Sequence, residues 1–271
     1  MRAGVLGSPI SHSLSPLLHT TAYAALGLSD WTYSRREVTA EQLADVVAGL
    51  DESWRGLSLT MPLKEVAFDV ATTVSDIARE AGAVNTLVRR ADAGWDGHNT
   101  DVAGIVGALS TADHDGRATV LGSGATSRSA ALALVQLGVR QVVVAARNAT
   151  AAAEVVALLA AHDVDARHAP VEGWARETGR LVVSTLPPQA SRAVGADLDE
   201  SGADLTGVTL LDVVYADWPT PLAQAAAARG ADVVSGLEML VHQAALQVEL
   251  FTGRPGPVEA MAEAAHREVG A

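Results

Sequence analysis

The sequence predicts an α/β protein with two domains, an N-terminal open α/β domain and a second domain built on a doubly wound parallel sheet. Short apolar runs alternate with helix-like segments along most of the chain, which is typical of sheets covered by helices. The first hundred residues end in a β-turn-β unit, whereas the later residues repeat strand and helix without such a unit. A glycine-rich turn over residues 122–125 joins a strand to a helix where the second pattern begins.

The first strand is predicted over Ala3–Gly7, a short apolar run that ends at a Gly-Ser-Pro turn. A helix is predicted over Leu17–Leu26, because Pro16 suits a first helical turn, with Ser15 as its N-cap and Gly27 as its stop.

A second strand, Trp31–Val38, precedes a helix that Thr39 caps and that runs through Val47. Gln42 stands three residues after Thr39, which is the spacing of a capping box. The remaining elements predicted for this half are a strand over Gly56–Leu59 and a hairpin of Val84–Arg90 and Gly94–His98.

The polar segment Asp113–Arg117 is typical of a junction between domains. After it, helices are predicted over Ser127–Leu137, Thr150–Ala161, Gly236–Thr252 and Val258–Val269. The strands predicted between them are Ala118–Gly122, Gln141–Ala146, Val164–Ala169, Leu181–Thr185, Thr209–Val214 and Ala231–Val234. Six short strands at this spacing predict a doubly wound parallel sheet.

Composition excludes several classes of function. A net charge of −13 and a pI near 4.9 argue against a nucleic-acid-binding protein, which needs a basic surface. The chain has no cysteine, which excludes disulfides, thiolate catalysis and zinc–thiolate sites. The histidines show no metal-ligand spacing such as His-Glu-x-x-His, so no metal site is predicted.

The chain is expected to be soluble and cytoplasmic. Its N-terminus lacks the pattern of a signal peptide, since only a short apolar run follows Arg2 before serines and a histidine. No stretch approaches the roughly 18 consecutive apolar residues that a membrane helix needs.

The turn Gly122-Ser123-Gly124-Ala125 matches the first two glycines of a dinucleotide-binding fingerprint. Gly122 allows the tight turn, Gly124 lets the backbone approach a pyrophosphate, and Ala125 stands at the third small position. Arg147 directly follows the next predicted strand, at a position where NAD enzymes carry an acidic residue; an arginine there suits the 2′-phosphate of NADP. The sequence therefore predicts NADP as the cofactor.

Two polar motifs flank a lone lysine. Ser13 and Ser15 stand two residues apart in the Gly-Ser-Pro-Ile-Ser-His-Ser-Leu-Ser-Pro segment, and Asp101 ends Asn-Thr-Asp. The lysine, Lys64, ends Thr60-Met61-Pro62-Leu63-Lys64, directly after a predicted strand. Hydroxyls, a carboxylate and an ammonium at one sheet edge suit a small hydroxylated acid, and an ammonium can stabilise and protonate a developing alkoxide.

With these motifs in this order, the chain resembles the shikimate dehydrogenase family from about Gly4 to about Phe251. The resemblance implies an NADP-dependent reduction of 3-dehydroshikimate to shikimate in chorismate and aromatic amino-acid biosynthesis. It implies a substrate domain at 1–101, joined by helices of 237–271, and a Rossmann NADP-binding domain at 102–236. It places the active site in the cleft between them.

The resemblance also implies roles for single residues. Lys64 would act as general acid and base, with Asp101 as its partner carboxylate. The substrate-binding residues it implies are Ser13, Ser15, Thr60, Asn85, Tyr215 and Gln243, and the cofactor contacts added to the glycine turn and Arg147 are Thr185, Gly236 and Met239.

Two departures from the family pattern are Ser58 before the Leu-Thr of the lysine motif and Thr20 after His19, where the family has asparagine. The alternatives left open are a quinate/shikimate dehydrogenase, an aminoshikimate dehydrogenase, or a ligand-sensing homologue without catalysis. The expected state is a monomer or a homodimer without nucleic-acid or membrane partners.

Overall fold

A computed structural model describes residues 1–176 and 178–270. The chain divides into two compact units, Met1–Gly104 with Leu240–Ala271, and Ile105–Met239. Ala271, the final residue of the 237–271 segment, lies outside the described residues. In the described part of the chain, no helix is both long enough and apolar enough to span a membrane.

The first unit is built on a six-stranded mixed sheet. Its elements up to the unit boundary are β1 (Arg2–Gly7), α1 (Ser15–Ala25), β2 (Thr32–Glu37), α2 (Leu43–Ala48), β3 (Trp54–Leu59), α3 (Leu63–Val66), β4 (Thr73–Val74), α4 (Asp76–Ala81), β5 (Thr86–Arg89), β6 (Trp95–His98) and α5 (Asp101–Ala108), which crosses that boundary.

The strand order in this sheet is β2-β1-β3-β5-β6-β4. Strand β1 runs parallel to β2 and β3, whereas β5 is antiparallel to both β3 and β6. The carboxyl ends of β1, β3 and β6 therefore lie at the same edge as the amino end of β5. One face of the sheet packs on a core that includes Leu43, Leu57 and Leu87.

The second unit is built on a six-stranded, fully parallel sheet. The remaining elements of the chain are β7 (Arg117–Leu121), α6 (Ala125–Gln136), β8 (Gln141–Ala145), α7 (Ala149–Ala160), β9 (Asp165–Ala169), β10 (Leu181–Ser184), α8 (Pro188–Ser201), β11 (Thr209–Asp212), α9 (Pro221–Ala228), β12 (Asp232–Ser235), α10 (Gly236–Thr252) and α11 (Val258–Val269). Helix α10 crosses from the second unit to the first, and α11 packs on α1.

The parallel sheet has the order β9-β8-β7-β10-β11-β12. This is the 3-2-1-4-5-6 order of the doubly wound dinucleotide-binding fold, with its switch point between β7 and β10. The predicted class, an open α/β domain followed by a Rossmann-like doubly wound domain, is confirmed.

Several local predictions differ from the structure. The segment that Thr39 was expected to cap begins as a 3₁₀ turn over Ala40–Gln42 and continues as α2, although the capping box is formed, with the Thr39 N–H donating to Gln42 Oε1 at 3.0 Å. Elements α3, β4 and α4 carry no clear signal in the sequence, because each has six residues or fewer. Helices α8 and α9 were not predicted either.

The prediction that Ser15 is the N-cap of α1 is wrong. Ser15 is already helical and buried, and Leu14 occupies the cap position without a side-chain hydrogen bond. The reason is that Ser13 supplies the hydroxyl instead: its Oγ accepts the backbone N–H of Ser15 at 3.3 Å. The side chain of Ser15 is thereby left for other contacts.

Candidate functional site

Lys64 is the only lysine in the chain, and it forms an ion pair with Asp101. Its Nζ donates to Asp101 Oδ2 across 2.6 Å, and the side chains of Lys64 and Asp101 are 16% and 7% exposed. Lys64 lies on the short helix α3 directly after β3, and Asp101 begins α5 directly after β6. Both therefore come from the edge of the sheet where parallel strands end, where α/β sheets bind their ligands.

Both carboxylate oxygens of Asp101 are occupied by side-chain donors. Asn85 Nδ2 donates to Oδ1 at 2.8 Å while Lys64 binds Oδ2. Asp101 does not cap α5, because Asn99 Oδ1 accepts the N–H of Val102 at 3.3 Å. The carboxylate is therefore held in place by both Lys64 and Asn85.

Asn85 has one defined amide orientation. Its Oδ1 accepts the backbone N–H of Thr100 and the hydroxyl of Thr86, both at 2.8 Å, so its NH₂ group faces Asp101. Gln243 enters the same group from α10, where its Oε1 accepts the Thr100 hydroxyl at 3.3 Å and its Nε2 donates to the Leu240 carbonyl at 3.1 Å. The first unit thus brings Lys64, Asp101, Asn85 and Gln243 into one connected set of polar groups.

Ser13 and Thr60 lie in the loops that leave this edge of the sheet, and Ser15 is the first residue of helix α1. The loop after β1 contacts the loop after β3, since the Ser8 N–H donates to the Met61 carbonyl at 3.0 Å. Thr60 is bonded through its own N–H to the Leu6 carbonyl at 3.0 Å. The loop that contains Ser13 and the loop that leads to Lys64 are therefore neighbours.

A set of buried polar groups behind this site was missed by the sequence analysis. Gln247, one helical turn after Gln243, is 1% exposed and contacts Ser58, His19 and Thr86. Two amides four residues apart in this helix are the signal that could have found it, because residues i and i+4 share one face. Ser58, which was noted only as a departure from the family pattern, is its closest partner at 2.7 Å.

His19 is fully buried between aromatic rings. Its ring stacks on Tyr33 with centroids 4.0 Å apart, and its Nε2 lies 3.3 Å from Gln247 Oε1. Burial lowers the pKa of His19 from 6.5 to about 3, partly offset by the bond to Gln247. The imidazole is therefore neutral near pH 7, and its Nε2 carries the proton, because an amide oxygen only accepts.

In the second unit, the glycine turn stands between β7 and α6. Gly122 has a φ of 115°, and a Cβ there would collide with Thr185 Oγ1, so the fold itself requires this glycine. Gly124 is the N-cap of α6 with an ordinary φ of −87°, and a Cβ there would meet no atom within 4 Å. The fold therefore does not require a glycine at 124. The space beside it, at the N-terminus of α6, is open to an external group.

Thr185 braces this turn. Its hydroxyl lies 2.7 Å from Ser127 Oγ and 3.0 Å from the Leu121 carbonyl oxygen. Ala125 is the first residue of α6. Thr185, which directly follows β10, thus connects the glycine turn to that strand.

A cavity of about 450 Å³ opens at the carboxyl ends of these strands. Its lining includes Gly122, Gly124, Thr185, Arg147 and Pro187. Arg147 follows β8 and is exposed. The cavity combines a helix N-terminus, which favours an anion, with a guanidinium that can bind phosphate oxygens in pairs.

Tyr215, Gly236 and Met239 belong to the second unit but do not line that cavity. Tyr215 is half-buried, three residues after Asp212, whose Oδ1 accepts the Val214 N–H at 3.3 Å. A Cβ at Gly236, the first residue of α10, would collide with the Val213 carbonyl oxygen. Met239 is buried in α10.

Among residues 1–176 and 178–270 there is no cluster of three His, Asp or Glu side chains that could hold a metal ion.

Known proteins resemble this chain over nearly its whole length. Residues 5–87 match the model of the shikimate dehydrogenase substrate binding domain, and residues 236–266 match the shikimate 5′-dehydrogenase C-terminal domain. The shikimate dehydrogenase (NADP(+)) of Synechococcus sp. strain JA-3-3Ab is 36% identical over 98% of this chain and 93% of that protein.

Solved structures agree. The crystal structure of Mycobacterium tuberculosis shikimate dehydrogenase has a TM-score of 0.89 and 44% identity, covering 98% of this chain and 99% of that one. The Thermus thermophilus shikimate 5-dehydrogenase in complex with NADP(H) and shikimate has a TM-score of 0.82 and 30% identity, covering 98% and 99%. The chain belongs to the shikimate dehydrogenase family.

Proposed function

We propose that this protein is an NADP-dependent oxidoreductase that reversibly reduces 3-dehydroshikimate to shikimate, in the cytoplasm, as a step of chorismate and aromatic amino-acid biosynthesis. The observation that carries the proposal is the 2.6 Å pair of Lys64 and Asp101 at the ligand-binding edge of the sheet. The Synechococcus relative bears the name of this activity, and the Thermus relative binds NADP(H) and shikimate.

Lys64 is the general acid and base of the proposed reaction. During reduction, negative charge develops on the ketone oxygen, and the Lys64 ammonium stabilises that charge and donates the proton that completes the hydroxyl. In the direction of oxidation, unprotonated Lys64 accepts the same proton. Asp101, held by Asn85, fixes the position of Nζ and offers an acceptor to a substrate hydroxyl.

The other polar residues of the first unit bind the substrate. Ser13 and Ser15 hold its carboxylate through hydroxyl donors, and Tyr215 is the further carboxylate contact of this proposal. Asn85 and Gln243 bind ring hydroxyls, since an amide can both donate to and accept from a diol. Thr60, the first residue of the lysine motif, completes the set. We assign residues 1–101 and 237–271 to the substrate domain.

Residues 102–236 form the cofactor domain in this proposal, and the glycine turn fits a dinucleotide. The open space at Gly124, the N-terminus of α6 at Ala125 and the adjoining cavity suit a pyrophosphate. Arg147 would hold a 2′-phosphate, Thr185 supports the turn, and Gly236 and Met239 would contact the nicotinamide. NADPH supplies the hydride when it is bound.

The deciding experiment is an initial-rate assay of the wild type and Lys64→Ala with shikimate or quinate as substrate and NADP or NAD as acceptor. The wild type should oxidise shikimate with NADP, and Lys64→Ala should lower kcat by about 10²- to 10⁴-fold, the usual contribution of a positioned acid or base. Circular dichroism of both proteins checks that the fold is kept.

The matched control is Arg79→Ala, which removes an exposed basic side chain of the first unit and should leave kcat unchanged. Near-normal turnover by Lys64→Ala would reject the catalytic lysine. Preference for quinate with NAD would reject the substrate and the role of Arg147. Absence of turnover with both acids would point to aminoshikimate or to a binding protein. Gel filtration with light scattering decides between monomer and homodimer.

A further inference from the structure

We propose that Gln247 is a positioning residue for the Lys64–Asp101 pair, acting through Thr86 and Asn85. The inference rests on the proposed function, because it assigns a second row of residues to the same reaction. Gln247 touches neither Lys64 nor Asp101 and is 1% exposed, so its influence has to pass through the hydrogen bonds that join it to the site.

The amide of Gln247 has a single orientation. Its Oε1 receives two donors, the hydroxyl of Ser58 at 2.7 Å and the Nε2–H of His19 at 3.3 Å. Ser58 donates its single proton to Gln247, and its Oγ accepts the hydroxyl of Tyr33 at 2.7 Å. With its oxygen held on this side, Gln247 presents its NH₂ group to β5.

The NH₂ group determines the direction of the next hydroxyl. Gln247 Nε2 donates to Thr86 Oγ1 at 2.9 Å and approaches the Asn85 carbonyl oxygen at 3.5 Å. Because the Thr86 oxygen accepts this bond, its single proton is directed to Asn85 Oδ1, 2.8 Å away.

Asn85 then has no choice of orientation. With Oδ1 held by Thr86 and by the Thr100 N–H, its Nδ2 donates to Asp101 Oδ1, which leaves Oδ2 for Lys64. If the Asn85 amide turned over, a carbonyl oxygen would face the Asp101 carboxylate and repel it. The hydrogen bonds from Tyr33 to Lys64 therefore have mutually compatible donor and acceptor directions. Gln247 joins the bonds on the Tyr33 side of this chain to those on the Lys64 side.

The chain of bonds positions groups and does not conduct protons, since two of its members are amides that do not readily gain or lose a proton. Gln243, on the preceding turn of α10, contacts Thr100, whereas Gln247 lies deeper and holds Asn85 from behind. Loss of Gln247 should therefore affect the geometry at Lys64 more than the affinity for cofactor.

The first test uses Gln247→Leu, which keeps a similar volume and removes both polar atoms. We expect kcat for shikimate to fall by about 10- to 100-fold, the scale of a small misplacement of reacting groups, with KM for NADP unchanged. Because Lys64 is the only lysine, ¹³C-lysine labelling gives one side-chain NMR signal, and this signal should move at fixed pH.

The second test uses Gln247→Glu, which has the same shape. A protonated glutamic acid can still donate to Thr86, but an ionised one only accepts and would turn the Thr86 proton away from Asn85. Turnover should therefore fall with rising pH as the new carboxyl ionises, a dependence absent from the wild type, while circular dichroism stays constant.

Tyr33→Phe is the matched control, because it removes the far end of the chain and leaves Ser58 free to donate to Gln247. It should leave the lysine signal and the pH profile unchanged. Wild-type kcat and an unmoved lysine signal in Gln247→Leu, or a wild-type pH profile in Gln247→Glu, would overturn the positioning role. If Gln247→Leu does not fold, Gln247→Glu decides. A wild type without activity towards shikimate would instead reject the proposed function, and the lysine signal would still test the coupling.

Discussion

His19 shows how a residue that does no chemistry can set the acid limit of the fold. The pKa of His19 is about 3 in the folded chain and 6.5 in the unfolded chain. Between these two pH values the unfolded chain binds a proton at His19 and the folded chain does not. The stability contributed by neutral His19 is fully present above pH 6.5 and is lost as the pH falls towards 3. The loss amounts to about 1.4 kcal/mol for each pH unit in this window.

We therefore predict that His19→Phe and His19→Gln both flatten the acid side of the stability profile. Between pH 7 and pH 5 the wild type should lose about 2 kcal/mol more unfolding free energy than either variant. Urea unfolding at a series of pH values measures this. Their stabilities at pH 7 will differ, because only glutamine keeps a donor for Gln247. Parallel profiles for wild type and variants would show that His19 is not the group that titrates.

Residues were predicted from the sequence with uneven success, for physical reasons. The helix stop at Gly27 carried a local signal, and Gly27 has the φ of 69° that such a stop uses. Ser15 and Ser13 offer the same hydroxyl two residues apart, so local pattern could not decide which one serves the helix end. His19, Ser58 and Gln247 are far apart in the chain, and no local pattern announces that they meet.

At the scale of elements, the β7–α6 turn contains two glycines, Gly122 and Gly124, that serve different purposes. Gly122→Ala should destabilise the fold by about 1–3 kcal/mol, because alanine is strained at a φ of 115° and its methyl would strike Thr185. Gly124→Ala should change stability by less than about 0.5 kcal/mol but raise KM for NADP, since the methyl enters the space proposed for the pyrophosphate.

Chemical denaturation and initial rates on the two variants measure this contrast, and each variant is the control for the other. Unchanged NADP affinity in Gly124→Ala would remove the turn from the proposed cofactor site. The strands of the second sheet were predictable because six short apolar runs recur along this part of the chain. Elements α3, β4 and α4 were not, because a strand of two residues and helices of four and six have too few residues to show a period.

At the scale of the whole molecule, cofactor binding should be measurable as an increase in the free energy of unfolding, independently of catalysis. Addition of NADP at about 100 times its Kd should stabilise the folded state by about 2.7 kcal/mol. The same concentration of NAD should stabilise it less, and Arg147→Ala should remove most of that difference. Thermal melting with each dinucleotide measures the effect. Equal stabilisation by NADP and NAD in the wild type would contradict the phosphate-binding role of Arg147.

The whole-molecule topology was predictable to the level of two α/β domains because each sheet leaves a repeating signature in the chain. The return of α11 to α1 had no such signature. Likewise, the polar groups behind Lys64 come from β2, β3, β5 and α10, whose side chains meet only after the sheet has formed. Local pattern predicts elements, whereas these contacts depend on how distant elements pack.

Because Lys64 is the only lysine, a protease that cuts only after lysine has a single cleavage site in the chain. That peptide bond joins Lys64 to Glu65 within helix α3, and the lysine side chain is bound to Asp101. Cleavage of the native chain would require α3 to unwind and the ion pair to separate, so the rate at which the intact polypeptide disappears would report local opening of the very segment on which the reaction is proposed to depend.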